Sequence, residues 1–519
     1  MCKPYSPDSR RGIAAGRTQH RIAGKPAGER ENTYMKHANF LKRMMSALLA
    51  VVLAVSLVTP SWAATSSTAA TSGSKNGVSW EKVDNSAVSA QLPLKNVEEN
   101  SDADQYAAAD MVRVSIVLDG QSALDKGFST QSFASNSKAV KYRQQLENKQ
   151  EKMAKTISKK ALDGQALDVV WNLTLAANII SANVEYGQIE KIEKVKGVKA
   201  VVIETRYEPC VVNDSETADP NMATSSAQIG STVAWANGYT GAGSKVAIID
   251  TGLDTSHRSM DPTALSYATK NSGVTLMDAS DIAKVMDQLN AAKRANVTAD
   301  DLYVNAKVAF GFNYIDRNLR ITHNGDTEGD HGSHVTGIAA ANRYIKNADG
   351  SFSPALDTVL TQGVAPDAQV FTMKVFGKGG GAYDSDYMAA IEDAIVLGAD
   401  AINLSLGSGN PGGSRNATAA YQAILDKLTE SDTVVTISAG NSGTWFENTV
   451  YGQPYADGVS WATNGTPGSY TNSLCVASVD NAGSTGNYIE FAGTKMFYND
   501  TSEAPIQPMT ALAGEQRFV

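Results

Sequence analysis

Two short stretches, Lys245–Asp254 (KVAIIDTGLD) and Gly329–Ala341 (GDHGSHVTGIAAA), decide how this chain folds. In the first, an apolar run ends in Asp250 and is followed at once by Thr-Gly, which is typical of a buried strand that stops at a turn. Ligands bind beyond the carboxyl ends of such strands in α/β sheets, so Asp250 stands where a carboxylate can orient an imidazole. Taken alone, Asp-Thr-Gly also fits an aspartate that caps a helix or a turn.

The second stretch predicts a helix that begins at His331 and packs closely through its small residues. His334 lies three residues further on, so a zinc site formed by both histidines is an alternative. Zinc-protease helices carry His-Glu-x-x-His, with ligands four residues apart and a glutamate base, and this stretch has neither feature. We therefore disfavour zinc and interpret His331 as the partner of Asp250.

These stretches, together with three that follow, resemble the subtilisin-like serine proteases, or subtilases. The later segments come in the order of that family. Each alone fits an ordinary strand and turn, but five segments in the right order leave little room for coincidence. The three later segments are Gly363–Phe376 (GVAPDAQVFTMKVF), Asp400–Gly407 (DAINLSLG) and Thr433–Gly443 (TVVTISAGNSG).

The resemblance implies a role for each matching residue. Asp250 would be the triad aspartate and His331 the triad histidine, which acts as the general base. Asn441 would donate its side-chain amide to the oxyanion, and His334 matches a structural histidine of the family. Three further residues would run beside the substrate backbone and line the pocket for the residue before the cut. They are Ser405, Leu406 and Gly407.

The nucleophile of the family lies in Gly-Thr-Ser-Met-Ala at the start of a helix, and the 519 residues contain no such motif. Gly493–Met496 (GTKM) keeps its outline with Lys495 at the serine position, but lysine cannot replace serine in acyl transfer. The C5a peptidases and lactococcal cell-envelope proteinases, which this chain resembles, carry a protease-associated domain before that serine. We expect residues 481–519 to begin such an insert, the serine to lie beyond Val519, and this N-terminal fragment to be inactive by itself.

The first part of the chain is predicted to serve export. Basic Lys36, Lys42 and Arg43 precede an apolar run, Met44–Val58, and a small-x-small cleavage site, as in a signal peptide. The run is too short to span a bilayer comfortably, so we do not expect an integral membrane protein. The predicted parts are 1–34 upstream of the true start, 35–63 signal peptide and 64–104 linker.

Residues 105–212 resemble the inhibitory propeptide of subtilases. Such a propeptide would be a partner of its own catalytic domain, and maturation would cut within Glu208–Ala223. A generic α+β module of unrelated use is the alternative. The predicted elements are strand Val112–Leu118, helix Ala139–Ala161, strand Val169–Ala176, helix Tyr186–Val195 and strand Val198–Glu204.

Beyond the propeptide, apolar runs near 246, 308, 370, 402 and 434 alternate with helical stretches. The helical stretches include Ser385–Leu397 and Ala419–Leu428. This alternation predicts an α/β fold with a parallel sheet. With the resemblance, the fold class is a subtilisin-like parallel sheet, mostly seven-stranded, with helices on both faces, preceded by a small α+β propeptide domain. The catalytic domain would cover 220–480 and is expected to be incomplete.

Composition limits the partners and cofactors. A net charge of −9 argues against nucleic acid as a partner. Three cysteines are too few for a disulfide scaffold, and we expect Cys475 to be a buried thiol. Subtilases often bind calcium, but Ser259 stands where many relatives have a liganding aspartate. Calcium therefore stays open, and no metal residue is assigned.

The sequence as a whole predicts an exported serine endopeptidase of protein or peptide substrates, secreted or held at a bacterial cell surface or cell wall. The alternative is a pseudoprotease or peptide-binding surface protein that keeps the substrate cleft without the nucleophile. Retention of Asp250, His331 and Asn441 together favours the enzyme.

Overall fold

The chain divides into two compact units, 1–97 and 98–519. Of the first, the computed structural model describes one antiparallel hairpin between 73 and 80. Of the second, it describes most residues from 106 to 407 and a smaller share of the rest. The described residues of the second unit are 106–131, 133–209, 222–323, 326, 329–378, 380–407, 421, 424–425, 427–428, 432–440, 465–469, 474–479, 488–491 and 494–497.

The strands and helices have the following bounds. The strands are β1 (Gly73–Lys75), β2 (Val78–Trp80), β3 (Met111–Leu118), β4 (Asp168–Leu173), β5 (Ile179–Glu185), β6 (Val198–Ile203), β7 (Arg206–Pro209), β8 (Lys245–Asp250), β9 (Val308–Asn313), β10 (Tyr344–Lys346), β11 (Phe352–Pro354), β12 (Gln369–Lys374), β13 (Ala382–Tyr383), β14 (Ala401–Leu404), β15 (Leu406–Gly407), β16 (Val434–Ser438), β17 (Leu474–Val476), β18 (Tyr488–Phe491) and β19 (Thr494–Phe497). The helices are α1 (Ser137–Ala161), α2 (Ile189–Glu193), α3 (Met222–Gln228), α4 (Ser231–Ala236), α5 (Pro262–Thr269), α6 (Ala279–Ala283), α7 (Asn290–Arg294), α8 (Ala299–Leu302), α9 (His331–Ala340), α10 (Ala355–Thr358) and α11 (Asp384–Val396). Four short 3-10 turns lie at Phe133–Ser135, Tyr186–Gln188, Arg258–Met260 and Met286–Gln288.

Residues 106–209, hereafter the α+β subdomain, form a four-stranded antiparallel sheet in the order β4-β5-β3-β6. The long helix α1 begins where the Asn136 side chain accepts hydrogen bonds from the amides of Lys138 and Ala139. Apolar residues of α1, α2 and the sheet share one core. The four-stranded sheet therefore has the three strands that the sequence predicts and one more, and β7 is a further strand outside this sheet. The predicted helix Tyr186–Val195 is a 3-10 turn followed by the short helix α2.

The additional strand is β5, which lies between β3 and β4 in the sheet. Its sequence, IISANVE, alternates Ile180, Ala182 and Val184, which lie in the core of the subdomain, with the polar Ser181 and Asn183. Ser181 is buried on the opposite face and donates to Glu204. This alternation is the pattern of a strand, and the sequence prediction did not include it.

The main sheet of the remaining residues is parallel, with the order β17-β16-β14-β8-β12-β9. Strands β9 and β12 are buried at every residue, as expected for a sheet covered on both faces. The sequence predicts mostly seven strands, and six lie within the described residues. Its central strand, β8, ends at Asp250, so that carboxylate lies at the carboxyl edge of the sheet.

Helix α11 is buried along its whole length. It contacts β8 of the parallel sheet and β4 of the α+β subdomain, so it lies between the two. The segment from 270 to 306, which contains α6, α7 and α8, also contributes apolar residues to the core shared with the α+β subdomain. Packing of this kind ties the subdomain to the parallel sheet at two places.

Candidate active site

Asp250 and His331 meet at the carboxyl edge of the parallel sheet. The Nδ1 atom of His331 lies 2.8 Å from Oδ1 of Asp250, and their side chains are 10% and 1% exposed. The same Oδ1 accepts a hydrogen bond from the Thr251 amide at 2.6 Å. Because Nδ1 faces the carboxylate, a proton transferred by His331 would be carried by the second ring nitrogen, Nε2.

Two glycines allow the strand and the helix to approach so closely. Gly252 has a φ of +114°, and a Cβ there would overlap the Ile321 carbonyl oxygen. A Cβ on Gly332 would overlap the Gly252 carbonyl oxygen and lie 3.0 Å from Oδ1 of Asp250. Only glycine therefore fits at position 332 without moving the turn that follows Asp250.

Side-chain hydroxyls fasten the two motifs to each other. The Gly332 amide donates to the Thr251 hydroxyl at 2.8 Å, and the Asp254 amide donates to the Ser333 hydroxyl at 2.8 Å. His334 is exposed on the outer side of α9. Thr251 and Ser333 thus have positioning contacts that the motif pattern did not reveal.

Strands β13 and β15 flank a channel that holds one extended segment of the chain itself. Strand β7 of the α+β subdomain lies between them in an antiparallel three-stranded sheet. Leu406 pairs with Pro209, and Gly407 pairs with Glu208. Ser405 precedes this pairing and accepts a hydrogen bond from the Asn403 side chain at 2.8 Å. Leu406 and Gly407, two of the residues predicted to contact substrate, therefore pair with β7.

Buried carboxylates hold the α+β subdomain against the start of α11. Glu204 accepts hydrogen bonds from the hydroxyls of Ser115, Ser181 and Ser385 and from the Ser385 amide, which is in the first turn of α11. A carboxylate at this end of a helix is stabilised by the free amides and the helix dipole. Asp384 accepts from the Thr205 amide and the Tyr207 hydroxyl, both in the α+β subdomain. Burial and the charge of Glu204 raise the pKa of Asp384 to about 7.

Two more acidic residues of α11 face the α+β subdomain. Glu392 accepts hydrogen bonds from the amides of residues 174, 175 and 176, and it forms an ion pair with Arg143 at 3.1 Å. Asp386 accepts from the Trp171 indole at 2.8 Å. Burial raises the pKa of Asp386 to about 6, and the nearby Arg113 opposes that rise. None of these carboxylates was singled out by the motif analysis, because their partners lie far away in the sequence.

The segment between the two motifs forms a second contact with the α+β subdomain. The Lys293 ammonium lies 2.6 Å from Glu147, and Arg143 donates to the Gln288 carbonyl oxygen at 3.2 Å. Arg294 bonds to the Asn172 side chain. Basic residues of the segment thus face acidic and polar residues of the subdomain.

Several sequence predictions lie outside the described residues. Asn441 follows directly after Gly440, the last described residue beyond β16, and nothing can be said of its side chain. The predicted signal peptide (35–63) and residues 210–221 of the predicted maturation stretch are likewise outside. Lys495 lies in β19, which pairs with β18 in a hairpin and does not begin a helix. Cys475 is free and half-buried rather than buried, because it lies on β17 at the edge of the described sheet.

The described part of the chain contains neither a candidate metal site nor a helix suited to span a membrane. Among those residues, no three His, Cys, Asp or Glu side chains are grouped so that they could hold a metal ion. No described helix combines the length and the apolar character needed to cross a bilayer.

Comparison with known proteins places the chain in a family. A model of the subtilase family matches residues 241–514, more than half of the chain. The PI-type proteinase of Lactococcus lactis subsp. cremoris is 32% identical over 314 residues, which are 59% of this chain and 14% of that protein. The minor extracellular protease Vpr of Bacillus subtilis is 31% identical over 267 residues, 49% of this chain and 25% of its own. The C5a peptidase of Streptococcus pyogenes is 30% identical over 251 residues, 46% and 18% of the two chains.

A parallel sheet with an aspartate and a histidine paired at its carboxyl edge defines a subtilisin-like α/β protein. The chain belongs to the subtilase family. The predicted likeness to lactococcal cell-envelope proteinases and to C5a peptidase is confirmed. The chain spans about a seventh of the length of the lactococcal proteinases that it matches.

Proposed function

We propose that this chain is part of an exported subtilisin-like serine endopeptidase in which Asp250 and His331 are two members of the catalytic triad. The 2.8 Å contact between them is the observation that carries the proposal. Asp250 holds the imidazole in one tautomer and stabilises the imidazolium, and His331 removes the proton from the serine hydroxyl and later gives it to the leaving amine. Asn441 is the proposed oxyanion donor.

The proposed nucleophile is a serine that lies C-terminal to Val519, after a protease-associated insert that begins within 481–519. Two findings support this arrangement: the 519 residues contain no Gly-Thr-Ser-Met-Ala motif, and the matched relatives are several times longer than this chain. The chain as printed is then expected to lack peptidase activity. Calcium is not assigned to any residue.

Residues 105–212 are proposed to be an inhibitory propeptide. Support comes from β7, which pairs with β13 and β15 where a substrate strand would lie, and from the carboxylate contacts at α11. An extended strand added to both edges of a cleft satisfies backbone hydrogen bonds on each side. Cleavage within 208–223 would therefore leave the cleft occupied until the subdomain departs.

The proposed location is outside the cell, secreted or bound to a bacterial cell surface or wall. The predicted signal peptide at 35–63 supports export, and one matched relative is named as an extracellular protease and others are cell-envelope proteinases by resemblance. The substrates would be proteins or peptides, and no nucleic acid is involved.

The first test is to sequence the coding DNA and its transcript beyond codon 519. A reading frame that continues to a Gly-Thr-Ser motif supports the enzyme, and that longer protein can then be assayed for peptide hydrolysis. Asp250→Asn should lower turnover by about 10⁴-fold, and His331→Ala at least as much. His334→Ala, three residues along the same helix and exposed, is the matched control and should retain activity.

A genuine stop codon would overturn the enzyme proposal and favour the peptide-binding alternative. The observation behind that alternative is that the β13–β15 channel accepts a strand without any nucleophile. A protein freed of residues 1–221 should then bind extended peptides without cleaving them, and calorimetric titration would measure this.

A further inference from the structure

A buried lysine lies directly behind the Asp250–His331 pair. Lys374 is the last residue of β12 and pairs in register with Asp250 on the neighbouring strand. Register partners on parallel strands present their side chains on the same face of the sheet. The Lys374 side chain is 0% exposed, and its ammonium donates to the carbonyl oxygen of Thr251, in the turn that follows Asp250.

The second partner of this ammonium comes from the loop that leads into α9. Oδ2 of Asp326 lies 2.7 Å from the Lys374 nitrogen, and the Asp326 side chain is also 0% exposed. The contact is an ion pair without the angle of a hydrogen bond. Oδ1 of Asp326 faces the Arg320 guanidinium at 3.0 Å. Lys374 therefore joins β12, the Asp250 turn and the His331 loop at one point.

Packing alone does not explain two fully buried charges at this point. Burying an ion pair costs more than burying apolar side chains of the same size, so its retention calls for a role in specificity or positioning. The neighbouring Asp250 is exposed to the electric field of this ion pair, because its Oδ2 atom is buried and has no hydrogen-bond partner among the described residues. With few local donors, the Asp250 carboxylate interacts strongly with fixed charges nearby.

We propose that Lys374 and Asp326 form a positioning ion pair that sets the orientation of the Asp250–His331 pair and its affinity for a proton. This inference rests on the proposed function, since it assigns the pair to the support of a catalytic base. Lys374 and Asp326 do not touch substrate in this role. They act through the Thr251 carbonyl and through the electrostatic field at Asp250.

The test uses the full chain and needs no peptidase activity. NMR signals of the six histidine rings are followed against pH, and the His331 signal is assigned by its loss in His331→Gln. Asp326→Asn leaves the Lys374 charge uncompensated and should lower the pH of half-protonation of His331 by about 0.5 to 1 unit. Lys374→Met leaves a negative charge behind and should raise that pH by a similar amount, while the double variant should return close to the parent chain.

Opposite shifts are the signature that a merely structural role would not produce. Lys307→Met is the matched control, because Lys307 is equally buried and, among the described residues, donates to the carbonyl oxygens of Pro366 and Ala368 rather than to the Asp250 turn. It should leave the His331 signal unmoved. Asp330 and His334 lie within three residues of His331 in the chain, and the Asp254 amide donates to Ser333; all the variants leave these residues unchanged.

Each outcome decides something. Shifts below about 0.2 unit, or shifts of the same sign in both variants, would overturn the positioning role. If Lys374→Met does not fold, Asp326→Asn and the charge-conserving Lys374→Arg, which should restore at least half of the parent behaviour, decide the question. Asp250→Asn is the reference for the proposed function. If that change also leaves the pH of half-protonation of His331 unaltered, the proposed pairing of Asp250 with His331 is wrong. If Asp250→Asn alters it and the Lys374 and Asp326 variants do not, only the role of the ion pair is wrong.

Discussion

The candidate active site and the face of α11 against the α+β subdomain are built in opposite ways. At the active site, close backbone contact through Gly252 and Gly332 sets the geometry, and few hydrogen bonds reach Asp250. At α11, buried carboxylates accept many amide and hydroxyl donors. Close packing at the two glycines does not depend on pH, but it tolerates no added side-chain volume. The carboxylate network at α11 tolerates small movements of its atoms, but it depends on which carboxylates are ionised.

The largest effect is expected from Glu392→Ala at the α11 face. Three buried amides would lose their acceptor, and Arg143 would keep an unpaired buried charge. Breaking a buried ion pair from one side costs roughly 3–5 kcal/mol. Hydrogen exchange of the amides at 174–176 should therefore accelerate by at least about a hundredfold. Unchanged exchange would show that the subdomain is held elsewhere.

The contact at α11 should also weaken as the pH rises. The pKa of Asp384 rises from 3.8 to about 7 through burial and the charge of Glu204, so the docked subdomain binds that proton more tightly than the undocked one. The stabilisation is fully present below about pH 4 and is lost as the pH rises through 7. Between pH 6 and 7, opening at the Thr205 amide should increase by up to about tenfold beyond the intrinsic rate of exchange.

The groups that face Asp384 define the control for the pH experiment. They are Glu204 and the hydroxyls of Tyr207 and Tyr387, and Arg113 lies beside the neighbouring Asp386. Asp384→Asn keeps one acceptor oxygen for these hydroxyls and removes the titrating charge, while the Thr205 amide loses its acceptor. The pH profile of exchange, and not its absolute rate, is therefore compared. In this variant, opening at the Thr205 amide should lose most of its dependence on pH above pH 6. A pH profile of opening identical to that of the parent chain would show that Asp384 is not the titrating group.

A smaller loss is expected from an added methyl group at the active site. Gly332→Ala would force Cβ into the Gly252 carbonyl oxygen and should cost about 2 kcal/mol through displacement of the turn. Gly337→Ala, on the same helix, meets no atom within 4 Å and should stabilise the chain by about 0.5 kcal/mol or more. Denaturant unfolding measures both. Equal effects would mean that close approach is not what orders the site.

The smallest effect concerns the ion pair between Lys293 and Glu147, whose side chains are 26% and 22% exposed. Lys293→Glu should cost about 1 kcal/mol or less, and the swap with Glu147→Lys should recover part of it. Lys284 and Asp281, 69% and 40% exposed, are the control pair and should contribute less. A double-mutant cycle on each pair, read by denaturant unfolding, makes the comparison.

Local patterns predicted the strand that ends at Asp250 and the helix that begins at His331, and the structure has both. Their contact follows from the topology of parallel sheets, because strand ends and helix starts meet at one edge. Strand β5 was not predicted, although Ile180, Ala182 and Val184 alternate with polar residues as in a half-buried strand. The role of Ser405, Leu406 and Gly407 came from the family resemblance, not from their own pattern.

The sequence did not reveal Glu204, Asp384, Glu392 or Lys374. Glu392 and the amides at 174–176 are more than 200 residues apart in the chain. No short-range pattern encodes such a contact, and an acidic residue in a helix is most simply interpreted as solvent-exposed. Long-range pairing between buried polar groups is therefore the part of the fold that required a structure.

The strand order also bears on the sequence in which the α+β subdomain and the parallel sheet fold. Central strand β8 pairs with β12 and β14, and more than a hundred residues separate it from either one. The strands of the α+β subdomain pair within a far shorter loop. Loop closure slows the formation of distant pairings, so we expect the subdomain to be complete while β8 still lacks both neighbours. The Asp250–His331 pair would thus form late in folding. By then the α+β subdomain would already present β7, the strand with which β13 and β15 pair.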